Sequence, residues 1–168
     1  MTIRIYVANL AKYNDGTLNG IWINLPMDED DLMESIQVML GDDEEWAIHD
    51  YEAPFAINET DEIERLNEIA QVLEDSSEDK NVIMAILGNW TDIEYGIGII
   101  QDGEYVVYTN CSDMGDVAQE VLEEQGTLDS MPEELRSYFD YDAYGRDLAI
   151  NGTFLYAGNQ TYVEVCNH

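Results

Sequence analysis

The stretch LPMDEDDLMESIQVMLGDDEEW, Leu25 to Trp46, decides how this chain folds. Nine of its 22 residues are acidic and none is basic, so mutual repulsion opposes compaction. Its apolar residues nevertheless recur at helical spacing. Leu32, Met33, Ile36, Met39 and Leu40 fall on one face at about 100° per residue, with Asp30, Asp31 and Glu34 opposite. Asp28 is placed to cap the helix, Asp31 stands in the first turn where a carboxylate complements the helix dipole, and Gly41 is the stop. The reading is an amphipathic helix followed by a second acidic run, Asp42, Asp43, Glu44 and Glu45.

Strands flank this helix. IRIYVANL (Ile3 to Leu10) is rich in β-branched and aromatic residues, and IWINL (Ile21 to Leu25) pairs with it across the turn signals of KYNDGTLNG. WAIHDYE (Trp46 to Glu52) is a third strand. The acid-faced helix then recurs twice. Over 61–75, Ile63, Leu66, Ile69, Ala70 and Leu73 make one face and Asp61, Glu64, Glu68 and Asp75 the other. Over 113–126, Met114, Val117, Ala118, Val121 and Leu122 face inward and Asp116, Glu120, Glu123 and Glu124 outward, with Gly126 as the stop. KNVIMAILGNW suits a buried helix ending at Gly88, whereas DIEYGIGII fits helix or strand. EYVVYTN (Glu104 to Asn110) is a strand, PEELRSYF starts a helix at Pro132, and TFLYAG and TYVEV form a hairpin turned at GNQ. The class is α+β: antiparallel sheets with helices flank a mainly helical middle. Soft boundaries near 60 and 103 divide the chain into 1–60, 61–103 and 104–168.

The whole chain carries 37 acids and 6 bases over 168 residues, a formal charge of −31. The acids are spread evenly along it rather than gathered in a tail. Acid-rich chains are disordered when apolar content is low, but here 45% of residues are hydrophobic, so a core is expected. No basic, apolar leader opens the chain and no run is long enough to span a membrane, so a cytoplasmic protein with reduced thiols at Cys111 and Cys166 is expected.

Catalysis needs a positioned nucleophile, base or metal, and none is legible. His49 and His168 stand far apart in sequence, and the two cysteines lack C-x-x-C spacing. GIG (Gly96 to Gly98) is not a phosphate loop, and no basic cluster suits nucleic acid. DEDDLM lacks the central glycine of a calcium loop and NDGTLNG its terminal glutamate. No enzyme activity, cofactor or metal is expected. What remains is the charge. A helix rises ~1.5 Å per residue, so the four acids from Asp61 to Asp75 give one charge per ~5 Å. Duplex DNA carries one per ~1.7 Å of axis, so two or three such stripes together approach its density. The bland alternatives are a solvated helix face and an acidic, lysine-poor surface adapted to high salt.

Four blocks carry a further signal: YVANLAKYNDGTLNGIW (Tyr6 to Trp22), HDYEAPF (His49 to Phe55), ERLNEIAQVLE (Glu64 to Glu74) and DYDAYGRDLAINGTF (Asp140 to Phe154). Together they resemble the ArdA antirestriction proteins of mobile elements and conjugative plasmids, over nearly the whole chain. The resemblance implies an elongated, curved protein of three small domains that forms a homodimer through its C-terminal part. It implies an acidic DNA mimic that occupies the DNA groove of type I restriction–modification enzymes, on their methyltransferase core. It brings no catalytic residue. The mimicking surface is assigned by helix position to Asp30, Asp31, Glu34, Asp42, Asp43, Glu44, Glu45, Asp61, Glu64, Glu68, Asp75, Asp116, Glu120, Glu123 and Glu124. An acidic binding module or chaperone for a basic nucleoid protein is the alternative of another class.

Overall fold

The structure, a computed structural model, describes residues 2–166. The described residues form an α+β chain with nine helices and two three-stranded antiparallel sheets. They divide into two compact units, residues 1–77 and 78–168.

In the first unit, β1 (Ile3–Asn9) is the central strand, with β2 (Gly20–Leu25) and β3 (Trp46–Glu52) on either side. Alternation sends Ile3, Ile5 and Val7 into the core, all fully buried. The short helix α1 (Leu10–Asn14) fills the region of the turn signals. Helix α2 (Glu29–Leu40) starts at Asp28, whose carboxylate accepts from the backbone N–H groups of Asp30 and Asp31, and it ends at Gly41 with φ of 63°. Leu32, Ile36, Met39 and Leu40 are buried, each such side chain contributing about 1.5–3 kcal/mol. Met33 departs from the expected face and is 46% exposed. It sits at the edge of the apolar stripe, and the core covers only the centre of that stripe.

Helix α3 (Ile63–Asp75) buries Ile63, Leu66, Ile69, Ala70 and Leu73, the expected face. Its Asn67 clasps the chain between β2 and α2: the Met27 N–H donates to Oδ1 at 2.9 Å, and Nδ2 donates to the Met27 carbonyl at 2.8 Å. Asn9 is the only buried polar residue among the described residues. Its Oδ1 caps α1 through Lys12 N–H at 3.1 Å, and its Nδ2 donates to Asp43 at 3.0 Å and to the Leu40 carbonyl at 3.4 Å. One amide thus ties the end of β1 to the end of α2, and every polar atom it buries is satisfied.

In the second unit the sheet order is β4 (Tyr105–Thr109), β6 (Thr161–Val165), β5 (Thr153–Gly158). Asn159 and Gln160 both have positive φ, as a two-residue hairpin requires, so the turn falls where GNQ marked it. The ambiguous segment is helical: α4 (Lys80–Asn89) and α5 (Ile93–Asp102) pack together, and Gly96 lies against Leu87. Helix α4 also lies against β5 and β6. Helix α6 (Met114–Glu124) buries Val117 and Val121 with Tyr108 and Cys111, bordered by Val106, Met114, Leu148, Phe154 and Tyr162. The short α7 (Thr127–Ser130) and α8 (Glu133–Arg136) lead to α9 (Tyr141–Asn151), which crosses α6 closely. Pro132 is the cap of α8, one position before its first helical residue. Gly145 permits the crossing: a Cβ there would stand on the Met114 carbonyl, 2.6 Å from its carbon and 3.0 Å from Gly115 N.

Candidate acidic interaction surface

The acids that face away from the core do so because the apolar face of each helix is occupied. On α2, Asp30, Asp31 and Glu34 are exposed, and the last turn holds no base to balance them. Glu29 completes this first turn and is equally exposed, although periodicity did not single it out. On α6, Asp116, Glu120, Glu123 and Glu124 are all exposed, again without a lysine or arginine in the helix. Two of them have neutral partners: Ser112 N–H donates to Asp116 at 2.8 Å, and the Gln119 amide donates to Glu123 at 3.0 Å. This helix, like α2, carries an acidic stripe with no base to balance it.

The α3 stripe is less bare than its sequence suggests. Glu64, Glu68 and Asp75 are exposed, but Glu68 pairs with Arg65 at 2.6 Å and Asp75 accepts from Gln71 at 3.0 Å. Asp61 precedes the helix, is half-buried, and accepts the Asn58 N–H at 2.8 Å. Within the run after α2, Asp42, Glu44 and Glu45 are exposed, whereas Asp43 is half-buried between Asn9 and Lys12, whose Nζ lies 3.8 Å away. Asp43 and Asp61 thus serve the fold as much as the surface.

Two further carboxylates are engaged by tyrosines. The Tyr108 hydroxyl donates to Glu164 at 2.7 Å, and burial, followed by that carboxylate, drives its pKa well above the ordinary tyrosine range. The Tyr105 hydroxyl donates to Glu78 at 3.0 Å, and burial together with Glu78 raises its pKa to about 12. Of the six bases, Arg4 pairs with Glu52 at 3.4 Å and lies 4.9 Å from the Trp22 ring centre. Ion pairs of this exposed kind offset little of the charge.

No three His, Cys, Asp or Glu side chains among the described residues are gathered as a metal site would need. Cys111 is buried, Cys166 is half-buried, and both are free thiols. His49 is exposed, with its ring edge-on to Tyr13 at 4.7 Å, and His168 lies outside the described residues. No helix among the described residues is long and apolar enough to cross a membrane.

No curated protein matches the chain. A family model described as antirestriction protein (ArdA) matches residues 5–164, spanning both sheets and all three acid-faced helices. The chain therefore belongs to the ArdA family of antirestriction proteins.

Proposed function

We propose that this protein is a DNA mimic that enters the DNA groove of a type I restriction–modification enzyme, on its methyltransferase core, and blocks restriction and modification of incoming DNA. The observation that carries the reading is the pair of bare acidic helices. Asp30, Asp31 and Glu34 on α2, and Asp116, Glu120, Glu123 and Glu124 on α6, present carboxylates to solvent with no base on either helix. A groove built for phosphates attracts such surfaces over its whole length. A charge of −31 equals the phosphate charge of about 15 base pairs, at two charges per pair, and a dimer doubles it. In this reading residues 104–168 hold a homodimer in the cytoplasm of a cell receiving a mobile element.

Competition tests it. The protein displaces duplex DNA from a type I methyltransferase core at near-stoichiometric amounts and leaves unrelated basic proteins alone. Displacement from a nucleoid protein but not from the core would overturn it in favour of an acidic chaperone. Changing Asp116, Glu120, Glu123 and Glu124 together to their amides weakens inhibition and lowers its salt dependence, whereas changing Glu123 alone has little effect, since one exposed pair contributes only ~0–1 kcal/mol.

A further inference from the structure

The geometry points to a socket for an arginine side chain of the protein partner, in a cleft beside β3; it rests on the reading that the partner is a basic DNA-binding protein. The cleft has a volume of about 530 Å³ and is lined by Tyr13, Ile48, His49, Asp50, Tyr51, Ile57 and Glu59. A β-bulge lies in its wall. Val7 pairs with Ile48 and Tyr6 with Asp50, which leaves His49 as an extra residue with no partner on β1. Bulges of this kind re-aim side chains and are common beside functional sites.

The register shows what the extra residue does. Ile48 and Tyr51 lie three apart, so in a regular strand they would point to opposite faces. Because Val7 pairs with Ile48 and Ile5 with Tyr51, the bulge brings both to one face. It also sets His49 edge-on against Tyr13 of α1, with ring centres 4.7 Å apart and planes at 80°. The loop carrying Ile57 and Glu59 is fixed to the strand by the Ile48 N–H, which donates to the Glu59 carbonyl at 2.9 Å. The lining combines the nearly covered Ile48 and Ile57 with the rings of Tyr13, His49 and Tyr51 and the acids Asp50 and Glu59.

The chemistry selects a planar cation. Neither Asp50 nor Glu59 is in an ion pair among the described residues, and Lys12, next to Tyr13 in sequence, is held by Asp43. Asp50 spends one oxygen on the Tyr51 N–H at 2.8 Å and keeps the other. A guanidinium stacks on tyrosine faces and bonds carboxylates through its fork of donors. An ammonium is drawn to a ring face but has neither the planar stack nor the two-pronged fork. The cleft therefore adds a shaped contact to an otherwise diffuse acidic surface.

The test uses the intact protein with N-acetylarginine methylamide and its lysine counterpart, followed by amide chemical shifts. The arginine compound is expected to move Tyr13, Ile48, Asp50, Tyr51 and Glu59 more than any residue of α6, and to bind more tightly than the lysine compound. Tyr51→Leu reduces that binding about tenfold, the mid-range of a cation–π contact, and Glu59→Gln weakens it by removing a charged acceptor; both positions are exposed, so melting temperatures stay unchanged. Equal binding of the two compounds, shifts of equal size on α6, or indifference to both substitutions in folded protein overturns the socket. A second arm separates it from the reading beneath it. Wild type that binds arginine in the cleft but does not displace DNA from the methyltransferase core refutes the groove reading and leaves the socket. Displacement equal in wild type and Tyr51→Leu, without arginine preference, does the reverse.

Discussion

Replacing Gly145 with alanine sets two effects of opposite sign against each other, and the structure decides between them. Glycine inside a helix costs about 1 kcal/mol relative to alanine, so the substitution in isolation would stabilise α9. The new methyl, however, would lie 2.6 Å from the Met114 carbonyl carbon, whereas ordinary contacts begin at 3.4 Å. The obstacle is backbone, which no rotamer change removes. Helices α6 and α9 must therefore part by at least about 0.8 Å, the difference between those distances. That loosens Val117 and Val121 against Tyr108, and Leu148 and Phe154 at the border of the same cluster. Overpacking of this kind costs about 1–3 kcal/mol and more when backbone must move, so the net expectation is a loss of about 2 kcal/mol. Gly98, inside α5 with nothing within 4 Å of its added Cβ, supplies the control: Gly98→Ala gains about 1 kcal/mol. Urea unfolding of both variants, read by circular dichroism, measures the difference. A Gly145→Ala protein as stable as Gly98→Ala would refute the crossing geometry.

Added salt raises stability, because self-repulsion among 37 acids is screened over ~10 Å at 0.1 M; thermal melts between low and moderate NaCl read it, and a flat or falling melting point contradicts it. Asn9→Ala removes the α1 cap and both donations to the end of α2, for a loss of about 2–4 kcal/mol by denaturant unfolding. Stability also falls in alkali. A tyrosine whose folded pKa is raised contributes fully below its unfolded value and loses that contribution as pH climbs through the folded one. For Tyr105 that window runs from 10.0 to about 12, and Tyr105→Phe flattens the melting profile across it.

The elements that sequence reading located are those whose signals are local. Asp28 and Gly41 bracket α2 because a cap and a left-handed stop act within a turn of themselves. Helix α9 has no such legibility. Only Gly145 is fully covered, with Leu148 partly buried against the α6 cluster, and so little coverage leaves no clear apolar period in DYDAYGRDLAIN. Helix α1 was masked by Asn-Asp-Gly turn chemistry, since its single turn is stabilised from Asn9 rather than by its own composition. The acidic surface divides in the same way. Glu120 and Glu124 were readable as outward because they lie opposite Val117 and Val121 on one helix. The engagement of Asp43 was not, because its partners Asn9 and Lys12 come from another part of the chain. The cleft at His49 depends on register with β1, which no pattern within β3 encodes.

The helix caps contribute to the charge as well as to the fold. Helices α2, α4, α5, α6 and α9 each begin with an aspartate, Asp28, Asp79, Asp92, Asp113 and Asp140, whose side chain accepts a backbone N–H. Asparagine and serine cap about as well, so the fold by itself is nearly indifferent to the choice. Helix α1 differs in another way: its cap donates as well as accepts, and there the chain uses Asn9. Each of these five caps therefore adds a negative charge that starting the helix does not itself require. Five Asp→Asn exchanges would remove five units from −31 while leaving the caps in place, so the helix starts are where this chain's charge can be lowered at least cost to its fold.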